Sequence, residues 1–274
     1  SELLSRGARL RTRADVELVL RAYETWGVDC VSHIEGDFAF AIWDTRKREL
    51  FCARDPLGNK PFHYLWTGET LAFATDVCAL LALPFAEHEI NEDTVAEFIA
   101  GDWYAIGETF WKGISKLPPA RILRGTEDGA RVERYWEPVL DDRPLYKRDE
   151  EYVEHFRELF ADNVRKASRT HRPLACEVSG GLDSSSIFCM AYDLRRQDRI
   201  LAPDLHGFTI AFEGDLRADE REYARAVGRH LATTIEESPP SYPSASWFRS
   251  AAERDLDFPG YPNTAASLNM LDAM

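Results

Sequence analysis

Residues 173–194 have the sequence PLACEVSGGLDSSSIFCMAYDL, and this stretch decides the fold of the second half of the chain. A short apolar run, 174–178, comes first and predicts a buried strand. A loop of small residues, 179–184, follows it. Apolar residues then recur at three- and four-residue steps from Ile187 to Leu194, which predicts a helix.

The order of strand, glycine loop and helix start predicts an anion-binding site. The free N–H groups of a first helical turn point into such a loop, and the helix dipole adds partial positive charge. Gly180 and Gly181 lack a Cβ atom, so the backbone can approach a phosphate closely. Ser179, Ser184 and Ser185 supply hydroxyl groups that can donate hydrogen bonds.

Asp183 indicates that a metal ion accompanies the phosphate. A carboxylate repels a phosphate unless a divalent cation lies between them. We therefore predict a site for phosphate and Mg²⁺, with Asp183 as a metal ligand. No Lys follows the glycines, so the loop is not a Walker A loop. The alternative is a serine- and glycine-rich surface turn that binds nothing, and the strand, helix and Asp together argue against it.

Helices and strands alternate from residue 150 onward. The pattern predicts helices at 152–164, 184–194 and 219–231, and strands at 174–178, 205–212 and 233–236. Such alternation is typical of an α/β doubly wound parallel sheet, in which ligands bind beyond the carboxyl ends of the strands. The loop at 179–184 and the end of the second strand both lie at that edge.

The preceding part of the chain predicts an antiparallel meander with a few helices. Residues 37–43 are apolar at nearly every position, as in a strand that is buried on both faces. Residues 137–149 contain Pro138, Pro144 and many charges, which is typical of a boundary. We therefore predict domains at 1–136 and 150–274, joined by a linker at 137–149.

Composition excludes several classes of protein. The net charge of −14 argues against binding a nucleic acid backbone, which needs clustered Lys and Arg. The longest apolar run, 71–86, is too short to span a membrane. The five Cys are scattered, which favours reduced thiols in a cytoplasmic protein over a zinc site. The chain lacks an initiator Met and stops within a helix-like stretch, so we expect it to be part of a longer protein.

Two segments resemble known families. SGGLDSS after a buried strand is similar to the pyrophosphate loop of the ATP pyrophosphatase superfamily. TRADVELVLRAYETWG, GDFAFAIWDTRKRELFCARDPLGNKPFHYLW and ERYWEP resemble the glutaminase domain of the glutamine-dependent asparagine synthetases. The resemblance implies an α+β glutaminase-like domain of the N-terminal-nucleophile (Ntn) type, with antiparallel sheets. An ATP pyrophosphatase domain, present in part, follows it.

The resemblance also implies roles for individual residues. Asp183 is the implied Mg²⁺ ligand, and Asp15 matches the Asp that binds the α-amino group of glutamine. For Asp15, the alternative is a first-turn Asp that the helix dipole favours. The implied ATP-binding residues are Ser179, Gly180, Gly181, Asp183 and Ser184 in the loop, with Glu177 and Ile210 as adenosine contacts.

Several family residues have no counterpart in this sequence. The family's nucleophile is an N-terminal Cys, and no residue here takes that part. Its glutamine-binding Arg and Asn-Gly are expected upstream of Ser1. Its second acidic metal-binding loop and its catalytic Lys are expected beyond Met274.

The leading hypothesis is a glutamine-hydrolysing, asparagine synthetase-like ligase that uses ATP and Mg²⁺ to adenylate a carboxylate. A macrocycle- or β-lactam-forming synthetase with an inactive glutaminase-like domain is the close alternative, and a non-catalytic homologue is the third. The expected partners are ATP, a carboxylate acceptor and either glutamine or a peptide substrate. A homodimer fits the family, whereas nucleic acid and membrane partners do not.

Overall fold

A computed structural model describes residues 2–12, 14–102, 104–141, 145–212, 214 and 219–274. Packing divides the chain into two compact units, residues 1–140 with 252–258, and residues 141–251 with 259–274. The division at residue 140 lies inside the predicted linker, 137–149, and Pro144 of that linker lies outside the described residues. The predicted domain limits themselves stay predictions.

The described residues contain ten helices, one 3₁₀ segment (Gly27–His33) and ten strands. The helices are α1 (Glu2–Ser5), α2 (Asp15–Trp26), α3 (Val77–Leu81), α4 (Glu92–Ala100), α5 (Asp149–Ala167), α6 (Leu182–Arg196), α7 (Arg221–Leu231), α8 (Ala245–Asp255), α9 (Pro262–Ala265) and α10 (Leu268–Ala273). The strands are β1 (Ala39–Asp44), β2 (Glu49–Arg54), β3 (His63–Trp66), β4 (Leu71–Ala74), β5 (Ile114–Lys116), β6 (Arg121–Thr126), β7 (Gly129–Arg134), β8 (Leu174–Glu177), β9 (Leu205–Ile210) and β10 (Ile235–Ser238).

The first unit contains two antiparallel sheets. One has the strand order β1-β2-β6-β7 and the other the order β4-β3-β5. Phe51, in the second strand of the first sheet, is fully buried and packs with Tyr23 of α2 and Val31. The predicted antiparallel pairing of β1 with β2 and of β3 with β4 is confirmed. The prediction of a single meander is wrong, because β2 pairs with β6 and β3 belongs to the other sheet. Strand β5 escaped prediction because it is only three residues long.

The prediction that residues 37–43 form a strand buried on both faces is wrong. Strand β1 lies at the edge of its sheet and pairs only with β2 among the described strands. Its residues are half-buried, and Trp43 is 57% exposed. An apolar run therefore does not by itself place a strand in the middle of a sheet.

Residues 252–258 pack within the first unit, although they follow most of the second unit in sequence. The backbone oxygen of Leu256 accepts a hydrogen bond of 2.6 Å from the indole Nε1–H of Trp111. The ring of Phe258 lies 4.6 Å, centre to centre, from that of Phe98. Long-range aromatic contacts thus hold this segment in place.

The second unit contains a three-stranded parallel sheet with the order β10-β9-β8. Helices α6 and α7 connect the strands and contact each other, so they lie on one face of the sheet. Phe188 of α6 is fully buried at the centre of this core. Helix α10 packs against the backbones of β9 and β10. The parallel sheet is confirmed, and double winding stays a prediction because only three strands are described.

Strand β10 begins two residues later than predicted. Ala232 ends α7 in the left-handed conformation, and the N–H of Thr233 donates to the Gly228 oxygen at 3.0 Å. Thr233 is therefore still part of the helix C-terminus and cannot join the strand. None of the described helices is long and apolar enough to cross a lipid bilayer.

Candidate functional site

The loop at 179–184 lies directly beyond the carboxyl end of β8. Val178 is fully buried, and its N–H donates to the backbone oxygen of Phe208 at 2.7 Å, which extends the sheet by one residue. The chain then leaves the sheet, and Gly180 adopts φ of +90°. Only a glycine takes this conformation without strain. The loop therefore follows the strand–glycine–helix order predicted from the sequence.

Two serine hydroxyls hold the loop in shape. The Ser184 hydroxyl accepts a hydrogen bond from the Ser179 N–H at 3.1 Å and lies 2.9 Å from the Ser179 hydroxyl. The Ser179 hydroxyl in turn accepts from the N–H of Gly181 at 3.2 Å. These contacts close the loop over the first turn of α6.

The first turn of α6 presents backbone donors toward this loop. Gly181 is the N-cap residue, and no side chain caps the helix in the described part of the chain. The first backbone bond into the helix runs from the Ser185 N–H to the Gly181 oxygen, at 3.3 Å. The N–H groups of the preceding residues, 182–184, have no partner of their own in an α-helix. Such donors, together with the helix dipole, form a ready anion site.

Ser185 carries a further hydroxyl of interest. Its Oγ is enclosed and has no hydrogen-bond partner among the described residues. A buried hydroxyl without a partner costs free energy, so this group is available to a hydrogen-bond partner from outside the described residues.

Asp183 lies on the exposed surface of that first turn. No group of three or more His, Cys, Asp or Glu that could hold a metal ion occurs within the described residues. Mg²⁺ commonly takes only one or two protein carboxylates and completes its shell with phosphate oxygens and water. One exposed carboxylate beside a set of anion donors fits a phosphate-bound Mg²⁺ and does not fit a metal held by protein alone.

The two predicted adenosine contacts lie at the same edge of the sheet. Glu177 is the last residue of β8, is exposed and is in register with Phe208. Ile210 is the last residue of β9 and is in register with Ser238. Because the strands are parallel, their carboxyl ends and the loop at 179–184 open on one side.

Gly180 packs against the first turn of α7. A Cβ atom built on it would lie 2.4 Å from the Tyr223 Cβ, 3.0 Å from the Ala224 nitrogen and 3.2 Å from the Glu220 oxygen. Two of these neighbours are backbone atoms that cannot turn away. The position of the loop therefore depends on the position of α7.

A network of charged side chains surrounds that first turn, and sequence reasoning missed most of it. Arg225 donates to both oxygens of Glu237, at 2.6 and 2.8 Å. Arg221 makes a two-pronged contact with Asp219, at 2.8 Å from Nε and 2.7 Å from Nη2. Its Nη1 also lies 3.8 Å from Glu237. The spacing of four residues between the two Arg was the only sequence signal, since it places them on one helix face.

These contacts set the charge states of the two carboxylates. Hydrogen bonds from Arg225 hold the pKa of Glu237 below its ordinary value, and those from Arg221 do the same for the pKa of Asp219. The N-cap residue of α7 is Glu220, without a side-chain cap bond, whereas Asp219 accepts from the Arg221 N–H at 3.2 Å.

One of the predicted site residues, Asp15, lies in the first unit. Asp15 is the first residue of α2 and is exposed, with Ala14 as the N-cap residue. Arg13, two positions before Asp15, lies outside the described residues. The role of Asp15 stays a prediction.

The cysteines of the first unit that are fully buried do not have the properties of nucleophiles. Burial raises the pKa of Cys30 to about 11 and the pKa of Cys52 to about 12. The reactive form of cysteine is the thiolate, which these environments suppress.

The Arg54-Asp55 sequence proves to be a structural turn without a direct ion pair between the two side chains. Asp55 is 1% exposed and accepts hydrogen bonds from the N–H groups of Leu57, Asn59 and Lys60. Burial raises the pKa of Asp55, but these hydrogen bonds outweigh it and the net pKa is lowered. Arg54 donates to the backbone oxygens of three residues, Gly58, Lys60 and Leu117.

Comparison with known proteins finds two family domains in this chain, one in each half. Residues 1–136 match the family model of the glutamine amidotransferase domain, and residues 155–239 match that of asparagine synthase. Asparagine synthetase [glutamine-hydrolyzing] 3 of Bacillus subtilis is 35% identical over 77% of this chain and 34% of its own length. A putative asparagine synthetase [glutamine-hydrolyzing] 2 of Methanocaldococcus jannaschii is 31% identical over 81% of this chain and 42% of its own length.

A relative with a different name also matches. Amidase chyE of Penicillium rubens is 29% identical over 81% of this chain and 34% of its own length. The chain thus spans less than half the length of each of these three relatives.

Proposed function

This chain belongs to the glutamine-dependent asparagine synthetase family, and on that premise we propose that the protein is an ATP-dependent, amide-forming ligase that adenylates a carboxylate. A glutamine amidotransferase domain precedes an asparagine synthase domain. The observation that carries the proposal is the loop at 179–184. It offers unpaired backbone donors, a glycine at positive φ and an exposed Asp at the carboxyl edge of a parallel sheet.

Each part of the loop has a task in this proposal. The N–H groups at the start of α6 and the hydroxyls of Ser179 and Ser184 bind the β- and γ-phosphates of ATP. Because these donors are already fixed in place, they stabilise the negative charge that develops on departing pyrophosphate. Glu177 and Ile210 contact the adenosine through their backbone at the strand ends.

The reaction then proceeds in two steps. A substrate carboxylate attacks the α-phosphorus, the bond to the bridging oxygen breaks, and pyrophosphate leaves. Ammonia or another amine next attacks the acyl carbon, and AMP leaves with the bonding electrons. With aspartate as the acceptor and ammonia from glutamine as the donor, the product is asparagine.

Asp183 is the residue that would hold Mg²⁺. When bound, this ion neutralises phosphate charge and helps pyrophosphate to depart. The chain's own part is to hold a carboxylate at the loop, and Asp183 does so from an exposed position in the first turn of α6.

The first domain has the corresponding role of supplying ammonia. We propose the Ntn-type glutaminase fold for it, with Asp15 binding the α-amino group of glutamine at the start of α2. In the second domain we propose that the doubly wound pyrophosphatase fold continues from the three described strands.

The decisive test is Asp183→Ala in the protein expressed from the full reading frame that contains this chain. We expect the release of pyrophosphate from ATP to fall by at least about 100-fold, because the departing charge loses its counterion. The matched control is Asp193→Ala, on the same helix, whose carboxylate accepts a hydrogen bond from the Gln197 side chain. Normal pyrophosphate release from the Asp183 variant would rule the proposal out.

The amine donor is a separate question with its own measurement. Release of ammonia from glutamine by the same protein favours the asparagine synthetase reaction. Pyrophosphate release without glutamine hydrolysis favours the macrocycle- or β-lactam-forming alternative. The absence of both ATP binding and pyrophosphate release leaves the non-catalytic homologue.

A further inference from the structure

We infer that Glu237 is a positioning residue for the loop at 179–184, acting through Arg225, Arg221 and the first turn of α7. The inference rests on the proposed function for its enzymatic consequence, but the mechanical coupling is argued from packing alone. Glu237 lies at the end of β10, two strands away from the strand that leads into the loop.

The first link is the contact between the loop and α7. The Gly180 backbone lies so close to Tyr223, Ala224 and Glu220 that no Cβ atom fits between them. Ala224 is itself fully buried. A shift of the first turn of α7 by a few tenths of an ångström must therefore move Gly180 or open a gap beside it.

The second link is the charge network that holds this turn. Arg225 and Arg221 lie one helical turn apart, and Glu237 contacts both of them. Asp219 binds Arg221 just before the helix begins. An isolated surface ion pair contributes little, whereas two-pronged Arg–carboxylate contacts joined into a network are the geometry in which such pairs do matter.

The third link is that Glu237 is anchored to the sheet. The flanking residues of β10 pair with β9, with Glu236 in register with Phe208 and Ser238 with Ile210. The side chain of Glu237 is 27% exposed and that of Arg225 is 54% exposed. The carboxylate is thus the more enclosed partner, and it connects the carboxyl edge of the sheet to the helix that supports the loop.

The chemistry explains why a remote carboxylate would affect ATP binding. The donors of the loop act on phosphate oxygens over hydrogen-bond distances, and misplacement by about 1 Å can cost about 100-fold in rate. Fixing α7 keeps Gly180 and the start of α6 in the arrangement that ATP needs.

The test begins with amide hydrogen exchange on the protein from the full reading frame that contains this chain, without nucleotide. We expect Glu237→Gln to raise exchange in the peptides that cover 179–184 and 220–224. Exchange in β8 and β9 should stay unchanged, because the sheet keeps its backbone bonds. A purely structural loss would raise exchange in those strands as well.

Matched variants separate the network from a general loss of charge. Asp162→Asn removes a carboxylate that pairs with Arg165 and Lys166 within α5, and it should leave the loop unchanged. Glu237→Arg combined with Arg225→Glu reverses the two-pronged pair and should restore much of the protection that Glu237→Arg alone removes.

The enzymatic readout uses the protein from the full reading frame. We expect Glu237→Gln to raise the KM for ATP by about three- to tenfold, with a smaller effect on kcat. Unchanged exchange in the loop, or a change equal to that in Asp162→Asn, overturns the inference. If the exchange result holds but Asp183→Ala still releases pyrophosphate, the coupling stands and the proposed function fails.

Discussion

Glu17 shows how a single carboxylate can organise a chain segment. Its side chain accepts hydrogen bonds from the N–H groups of Arg11 and Thr12, and from the Thr12 hydroxyl at 2.7 Å. The hydrogen bond from the Arg11 backbone, followed by those from Thr12, lowers the pKa of Glu17 from 4.5 to about 2. The residue thus ties the segment before α2 to the helix.

We expect the pH dependence of this contact to follow from that shift. Because the folded pKa lies below the unfolded one, the contact contributes fully to stability above about pH 4.5. The contribution is lost as the pH falls through the folded pKa of about 2. A carboxyl-carbon NMR titration of Glu17 measures this pKa directly.

Thr12→Val is the variant that tests the cause. It removes the hydroxyl donor and leaves the backbone donors, so the pKa of Glu17 should move up toward, but not reach, 4.5. Thr25→Val is the control, since its hydroxyl donates to the Arg21 oxygen on the same helix. An ordinary pKa for Glu17 in the unmodified protein would contradict the hydrogen-bond geometry.

At the residue scale, sequence reasoning was strongest where a local motif carries the chemistry. The loop serines, Gly180 and Asp183 lie within six consecutive positions, so the strand–loop–helix order alone brings them together. Glu237 and Arg225 lie twelve positions apart, and only the folding of α7 back onto β10 makes them partners. Side-chain networks of this kind can hardly be predicted from a single sequence.

At the scale of elements, Gly228 fixes how closely α7 approaches β10. It lies inside a helix, where glycine is less favourable than alanine by about 1 kcal/mol. A Cβ atom at this position would lie 2.8 Å from the backbone oxygen of Thr233 and 3.3 Å from the Ile235 side chain. The close approach of helix and strand therefore requires the missing side chain.

We expect Gly228→Ala to destabilise the protein by about 1–3 kcal/mol, although the substitution improves helix propensity. The clash involves a backbone oxygen that cannot rotate away, so α7 must move from β10. Urea unfolding measures the change. Ala226→Gly, at an exposed position of the same helix, gives the propensity cost alone and should be about 1 kcal/mol. A more stable Gly228→Ala variant would contradict the packing.

Sequence patterns predicted the existence of most elements but not their ends. The alternation after residue 150 predicted the parallel strands because β8 and β9 are short, largely apolar and followed by a helical period. The predicted start of β10 was wrong because Ala232 adopts a left-handed conformation. Alanine is not a residue type from which this conformation can be predicted. The edge position of β1 was not predicted because the burial of a strand depends on which strands pair with it, and its own sequence does not determine those partners.

At the scale of the whole molecule, the two units have separate hydrophobic cores. Phe51 is central to one and Phe188 to the other, and both are fully buried. The return of residues 252–258 to the first unit was not predictable, because it depends on Trp111 and Phe98 finding partners far along the chain. Hydrophobic residues make up 45% of the sequence, which is enough for such cores.

Truncating one buried side chain in each core should destabilise only the unit that contains it. Phe51→Ala and Phe188→Ala each leave a large cavity, so each should destabilise its own unit by about 3–5 kcal/mol. Amide hydrogen exchange locates the loss, and we expect it in β1 and β2 for Phe51→Ala, and in β8 and β9 for Phe188→Ala. Tyr242→Ala is the control, because its side chain is 79% exposed and its loss should cost less than about 0.5 kcal/mol. Unchanged protection of β2 in Phe51→Ala would show that this phenylalanine does not hold the first core together.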